Sequence, residues 1–169
     1  PDHLGKKLTS IKYNKNDLVV FVFGMQFSDG SECGDGLGPA EEDAYGDGFG
    51  GGPMNNMYGR TCDKEFTDVD KIKRIEVRFN NAGVFLQTIK FFDAKEVELL
   101  TIGGKDIDET SRVETFSIEE DEELCGCYLH HEATGDICGV TWIKRVIALP
   151  VSGGTRASWL FGCCMSKQK

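Results

Sequence analysis

The chain has 169 residues, 40% of them hydrophobic and 28% charged, and a formal net charge of −9. A chain of this length suits one domain with its own hydrophobic core. The acidic charge disfavours binding to the phosphate backbone of nucleic acids and to anionic membrane surfaces. No apolar stretch approaches the roughly 20 residues that a membrane-spanning helix needs. We therefore expect neither a nucleic-acid partner nor a transmembrane segment.

Short stretches rich in β-branched and aromatic residues recur along the chain, separated by Gly, Asn and Asp. In chain order they are LVVFVFGMQF (18–27), KIKRIEVRF (71–79), VFLQTIKFF (84–92), ETFSI (114–118) and GVTWIKRVIAL (139–149). Ile75, Val77 and Phe79 alternate with Glu76 and Arg78, which is the period of a strand with one buried face. The sequence therefore predicts an all-β fold of many short strands.

An internal repeat relates the first two groups of predicted strands at an offset of 64 residues. Its members are Ile11, Val20, Phe21, Phe27 and Asp29, which recur as Ile75, Val84, Phe85, Phe91 and Asp93. A looser third copy begins near Leu124 and Cys125, and its Gly139-to-Trp142 segment echoes residues 24–27. Three related hairpins indicate pseudo-threefold packing about one core. We expect the core to contain Ile11, Phe27, Ile75, Phe91, Leu124 and Trp142.

Two segments lack the strand pattern. Residues 30–60 are acidic and rich in Gly, which predicts a long, solvated loop inserted into the main domain of residues 1–150. The carboxylates of this loop lack the ligand spacing of an EF-hand, so Ca²⁺ binding is disfavoured against a plain solvated loop. Residues 151–169 form a C-terminal tail, in which ASWLFG (157–162) could add one more strand.

Several short motifs follow one another in the order found in a known family. They are Phe116-Ser117-Ile118, Leu124-Cys125-Gly126-Cys127 and the run from Asp136 to Thr141, preceded by FSDGS (27–31) and IGG (102–104). In this arrangement the chain resembles a jacalin-related lectin domain over roughly residues 8–145. The resemblance implies a β-prism, which is an all-β fold of three Greek-key four-stranded sheets with pseudo-threefold symmetry.

The resemblance also implies carbohydrate binding without catalysis and without a cofactor. Asp136 would accept hydrogen bonds from vicinal sugar hydroxyls, and its charge would strengthen both bonds. The surrounding loop is His131, Glu132, Ala133, Thr134, Gly135 and Asp136, and the opposite rim contains Asn81 and Gly83. The expected partner is a glycan or glycoprotein.

Two departures from the family pattern leave a second function open. Glu132 stands where the family has the Gly of Gly-x-x-x-Asp, and no Gly-rich segment precedes Ile11. The alternative is a β-prism that has lost its sugar site and serves protein interaction, as a homo-oligomer or in a larger assembly. The sequence leaves the cellular compartment open.

A metal centre or a thiol nucleophile is the remaining alternative for the Cys- and His-rich segment. Its candidate ligands are Cys125, Cys127, His130, His131 and Cys138. On a regular strand Cys125, Cys127 and Leu129 share one face and His130 points to the other, and we expect both histidines in the loop. We therefore expect no metal, no enzyme activity, and cysteines that act mainly as small apolar residues.

Overall fold

The computed structural model describes residues 5–14, 20, 23–34, 62–80, 86–104, 112–131 and 137–147, together with the backbone of 159–165. Within these ranges the chain forms eleven strands and one short 3₁₀ helix. They are β1 (Leu8–Tyr13), β2 (Phe23–Phe27), β3 (Glu32–Gly34), β4 (Lys64–Phe66), the 3₁₀ helix (Val69–Lys71), β5 (Arg74–Phe79), β6 (Leu86–Phe92), β7 (Glu98–Gly103), β8 (Val113–Ser117), β9 (Glu122–His131), β10 (Ile137–Val146) and β11 (Trp159–Met165).

All of the described strands pair antiparallel in three sheets, and the predicted all-β class is confirmed. The first sheet has the order β3-β2-β1-β4 and the second has the order β7-β6-β5-β8. In both sheets the fourth strand returns beside the first, which is Greek-key order. No helix among the described residues has the length and apolar character needed to cross a membrane.

The third sheet differs from the four-stranded sheet that was predicted. Its order is β11-β10-β9, so three strands form it in the part of the chain that the structure describes. The strand left open for the C-terminal tail is β11, which pairs with β10 from Gly139–Met165 to Arg145–Trp159. Among the described strands, β10 is the only one that pairs with β9.

One aromatic side chain from each sheet meets at the centre of the core. Phe23, Phe91 and Trp142 are fully buried. The Phe23 and Phe91 rings stack with centroids 6.5 Å apart, and Trp142 meets them edge-on at 6.0 and 5.8 Å. Such aromatic pairs add stabilisation beyond the area that they bury. The three sheets therefore share one hydrophobic core.

The six residues predicted for the core all lie in it, but the repeat is not in strict structural register. Ile11 pairs with Met25, whereas Ile75 pairs with Phe91. The equivalent positions on the second strands are thus 66 residues apart by pairing, not 64. Because side chains alternate with a period of two, a slip of two residues keeps Phe27 on the core face. Phe27 is accordingly buried.

The predicted loop over residues 30–60 begins too early. Residues 32–34 form β3, which pairs with β2 through Met25–Cys33 and its two neighbours. Gly34 makes this strand possible, because a Cβ there would lie 2.3 Å from the Phe23 carbonyl oxygen. Residues 35–61, which hold most of the predicted loop, lie outside the described residues.

Candidate functional site

The connections from first to second strands leave all three sheets at one end of the molecule. We call this the hairpin end, where β1, β5 and β9 finish and β2, β6 and β10 begin. The Val20 backbone N–H donates to the Leu86 carbonyl at 3.0 Å, which joins the first and second sheets at this end. Phe23 and Gly34 of the first sheet line one cleft with His131 of β9, which places the third sheet at the same end. Loops grouped at one end of a rigid scaffold are a common location for binding sites.

The predicted sugar-binding loops both belong to this end. Residues 132–136, with Glu132, Ala133, Thr134, Gly135 and Asp136, connect β9 to β10, and Asn81 and Gly83 stand between β5 and β6. These seven residues lie outside the described part of the chain. The structure describes their neighbours, of which Asn80 follows β5 and His131 ends β9. The placement of Asp136 beside a sugar therefore stays a prediction.

The expectation that both histidines lie in the loop is wrong. His130 and His131 are the last two residues of β9, because strand pairing continues as far as His131–Ile137. His131 is exposed at the hairpin end. His130 is partly buried, and its Nε2 shares a hydrogen bond of 2.7 Å with the Thr141 hydroxyl on the neighbouring strand. The pair ties the two strands together close to the loop.

A β-bulge changes the faces on which the cysteines lie. The pairs Ile143–Gly126 and Lys144–Leu124 leave Cys125 as an extra residue on β9, and such an insertion breaks the regular alternation. Cys127 packs in the core cluster together with Leu124, whereas Cys125 is buried outside that cluster. The expectation that Cys125 shares a face with Cys127 and Leu129 is therefore wrong.

Two of the described thiols, those of Cys125 and Cys33, are poorly suited to nucleophilic chemistry. Burial raises the pKa of Cys125 to about 11, although the nearby Arg145 acts in the opposite direction. Burial also raises the pKa of Cys33. A raised pKa keeps a thiol protonated at neutral pH and hence weakly reactive. Among the described residues no group of three or more His, Cys, Asp or Glu side chains is placed to hold a metal ion.

A cleft of about 240 Å³ opens at the hairpin end between the first and third sheets. Its first wall is Phe23, Met25, Cys33 and Gly34 of β2 and β3, and its second wall is Cys127, Tyr128, Leu129 and His131 of β9. The floor is apolar, and the rim carries the phenol of Tyr128 and the imidazole of His131. An apolar cleft with a few polar groups at its mouth is a general form of binding site.

A buried ion pair at the opposite end was missed by the sequence analysis. Glu122 is 5% exposed, and its carboxylate accepts hydrogen bonds from the Lys144 ammonium at 2.6 Å and from the Glu119 backbone N–H at 2.9 Å. Lys73 donates to the carbonyl oxygens of Glu119 and Glu122 at 2.8 and 3.2 Å. These bonds hold the turn between β8 and β9 against the second sheet.

The ionisation of Glu122 follows from this setting. Burial, the largest influence, acts to raise its pKa. The hydrogen bonds from Lys144 and Glu119 and the charges of Lys144 and Lys73 act against burial, and the net pKa lies below its usual value. Nothing in the run Glu119–Glu123, which is five consecutive acidic residues, distinguishes the one carboxylate that becomes buried. The signal lies in the fold of the turn and not in the local sequence.

Comparisons with known proteins give structural likeness alone. No family model matches the chain, and no curated protein matches it. The crystal structure of PirB superposes with a TM-score of 0.52 at 12% identity, over 83% of this chain and 29% of PirB. The V. cholerae biofilm matrix protein Bap1 gives a TM-score of 0.41 at 13% identity, over 95% of this chain and 21% of Bap1. The chain spans less than a third of either protein.

Proposed function

We propose that the chain is a β-prism module that binds carbohydrate at the hairpin end and has no catalytic activity. Asp136 is the main acceptor for sugar hydroxyls, the backbone of residues 132–135 surrounds it, and Asn81 and Gly83 form the opposite rim. His131 stands at the described edge of this site. The partner is a glycan or glycoprotein.

The strand order supports the β-prism in this proposal. The first and second sheets have the same Greek-key order, and the described strands of the third sheet follow the order of their first three strands. Each sheet also contributes one ring to the central aromatic cluster of Phe23, Phe91 and Trp142. Equivalent sheets around a shared core are what a pseudo-threefold prism requires.

The observation that carries the function is the common end from which the two predicted loops leave. β5 ends at Phe79 and β9 ends at His131, and both are first strands of their sheets. Loops from two sheets at one end can present backbone N–H groups and a carboxylate to one ligand. A carboxylate that accepts hydrogen bonds from two sugar hydroxyls adds geometric specificity as well as binding energy.

Titration of wild type and two variants with mannose- and galactose-based glycans tests the proposal. Asp136→Ala should weaken binding by about 1–3 kcal/mol, because it leaves sugar hydroxyls and loop donors unpaired. That is roughly a ten- to hundredfold loss. Glu132→Gly, which restores the family pattern, should hold or improve binding because Gly allows closer backbone approach.

Asp70→Ala is the matched control, since Asp70 lies on the 3₁₀ helix at the end opposite to the hairpins. It should leave glycan affinity unchanged. The free energy of unfolding should change by less than about 0.5 kcal/mol in Asp136→Ala, as for most surface changes. Absence of glycan binding by wild type and by both loop variants would reject the lectin function and leave the interaction module.

A further inference from the structure

A cavity of about 270 Å³ lies at the end of the molecule opposite to the hairpins, and we call it the opposite-end cavity. It is bordered by the start of β1, the 3₁₀ helix, the turn between β8 and β9, and Ile147 after β10. Its volume is close to the roughly 300–1,000 Å³ of small-molecule sites. Elements that belong to or adjoin all three sheets thus surround one space, which the proposed carbohydrate site does not use.

The floor of the opposite-end cavity is apolar. Leu8 of β1, Ile72 after the 3₁₀ helix and Leu124 of β9 line it, and all three side chains are buried. Ile147, which is 46% exposed, extends the apolar surface towards the rim. An aliphatic stem laid along this floor would be removed from water, as the stems of lysine side chains are on apolar protein surfaces.

One oxygen of a buried carboxylate on the cavity wall accepts no hydrogen bond. Glu122 lines the cavity and is 5% exposed. Its Oε2 accepts the bonds from Lys144 and from the Glu119 backbone N–H. Its Oε1 accepts none from the described part of the chain and is not fully buried. Buried polar atoms normally have a partner, so Glu122 Oε1 is an acceptor available to an N–H donor inside the cavity.

The mouth of the cavity has an excess of negative charge. Four exposed carboxylates lie on it or beside it and form no salt bridge within the described part of the chain, namely Asp70, Glu119, Glu120 and Asp121. The lysines of the lining are Lys7 and Lys73. Glu122 and Glu123 already pair with cations of β10. Four carboxylates against two ammonium groups leave two negative charges in excess, which attract a dication.

The arrangement suits an organic cation better than a metal ion. Calcium and magnesium require several converging oxygen ligands, and no group of three or more His, Cys, Asp or Glu side chains in the described ranges is placed to provide them. An ammonium group needs fewer acceptors, which can be spread along the ligand. An alkyl stem between two ammonium groups would also use the apolar floor, which a bare ion would not.

We propose that the opposite-end cavity binds a linear aliphatic diamine. One ammonium group donates to Glu122 Oε1, and the alkyl stem lies on the floor formed by Leu8, Ile72 and Leu124. The second ammonium group binds the carboxylates of Asp70 and Glu120 at the mouth. Hydrogen bonds between charged groups are stronger than those between neutral ones. The proposal does not depend on sugar binding at the hairpin end.

Calorimetric titration of the full chain with 1,4-diaminobutane tests the proposal. Binding should saturate at one diamine per chain. The monoamine n-butylamine has the same stem but lacks the bond at the mouth, so it should bind at least about fivefold more weakly. Butanoate, which has the opposite charge, should not bind. Equal affinity for diamine and monoamine would overturn the proposal, and so would binding that does not saturate.

A pair of variants separates the site from diffuse attraction to an acidic chain. Glu120→Gln removes one carboxylate from the mouth and should weaken diamine binding about fivefold. Glu65→Gln is the matched control, because Glu65 is exposed on β4 and does not line the cavity. It removes the same charge and should leave the affinity unchanged. An equal loss in both variants, or no loss in Glu120→Gln, would overturn the proposal.

NMR of the isotope-labelled chain locates the diamine. Saturable shifts are expected at the amides of Asp70, Ile72 and Ile147, which border the cavity. The amides of Asn80 and His131 at the hairpin end should not shift. Shifts centred on the hairpin end, or shifts that rise linearly over the whole acidic surface, would overturn the proposed site.

Discussion

Removal of the Lys144 charge should destabilise the protein, because Lys144 is the ion-pair partner of the buried Glu122. Lys144→Met keeps most of the side-chain volume but removes the ammonium group. That group donates to Glu122 at 2.6 Å and to the Ser117 carbonyl at 2.9 Å, and lies 5.3 Å from the centre of the Phe116 ring. The substitution leaves a carboxylate that is 5% exposed with the Glu119 N–H as its remaining described direct donor.

The expected loss follows from the cost of leaving a buried charge unpaired. Removing one partner of a buried ion pair costs about 3–5 kcal/mol, whereas replacing both partners is much less harmful. We expect about 3 kcal/mol for Lys144→Met, because the Glu119 N–H and nearby Lys73 still stabilise the carboxylate. The double variant Glu122→Gln with Lys144→Met should recover most of this loss.

The effect should depend on pH in a defined direction. In wild type the pKa of Glu122 is lowered in the folded state, so its contribution is present above the unfolded pKa and is lost as pH falls through the folded pKa. In Lys144→Met only the Glu119 N–H and the charge of Lys73 still oppose burial, so the pKa of Glu122 is higher in the variant than in wild type. The variant therefore gains stability relative to wild type on acidification, and the difference between them should shrink from pH 7 towards pH 4.

Urea unfolding at several pH values measures these differences directly. The expected result is a large loss at pH 7 for Lys144→Met, a smaller loss at pH 5, and partial recovery in the double variant. Equal stability of Lys144→Met and wild type at pH 7 would refute the reasoning. So would a double variant that is less stable than Lys144→Met alone, because the unpaired carboxylate would then not be the cause.

Three further predictions concern the core, one glycine and metal. Trp142→Ala should lower the free energy of unfolding by about 3–5 kcal/mol in urea unfolding, because it leaves a cavity among rings from all three sheets. Gly34→Ala should cost clearly more than Gly30→Ala when their melting temperatures are compared, since both glycines have positive φ but only at Gly34 would a Cβ meet backbone. Elemental analysis should find no stoichiometric zinc in the purified chain, and one zinc per chain that is lost on mutating Cys125 or His130 would contradict this.

The alternation of apolar residues is sufficient to predict the fold class and the core. Ile75, Val77 and Phe79 are fully buried, and their spacing of two is a local property that survives folding unchanged. The same periodicity does not define register. The predicted equivalence of Phe27 and Phe91 was correct for the buried face, but it differs by two residues from the equivalence in the structure. The buried face is the same in both cases, because registers that differ by two residues bury the same side of a strand.

Features that depend on pairing between distant strands could not be predicted in this way. β3 is three residues long, and its composition resembles that of a loop. It forms a strand because β2 supplies its hydrogen bonds. The bulge at Cys125 arises from the pairing of β9 with β10. The adjacent Gly126, with a φ of 152°, is a local signal for a bulge, but it does not show how the two strands are paired. His130 and His131 are polar residues in a segment whose sequence predicts a loop, and only continued pairing to Ile137 places them on the strand.

The candidate site was predicted mainly through the family resemblance and not through periodicity. Asp136 and Glu132 were chosen because of a motif, and the motif carries no information about the neighbouring sheet. The structure adds the common end of the loops and the cleft beside β9. Neither is readable from the chain, because each requires the relative placement of two sheets.

An NMR titration of the isotope-labelled chain with mannose and galactose oligosaccharides tests the central claim most directly. The account predicts saturable shifts in the amides that border the hairpin end, including Asn80, His131 and Ile137, with no shifts at Asp70 or Ile147 at the opposite end. The absence of shifts at millimolar glycan, or shifts confined to the opposite end, would contradict carbohydrate binding at the hairpin end.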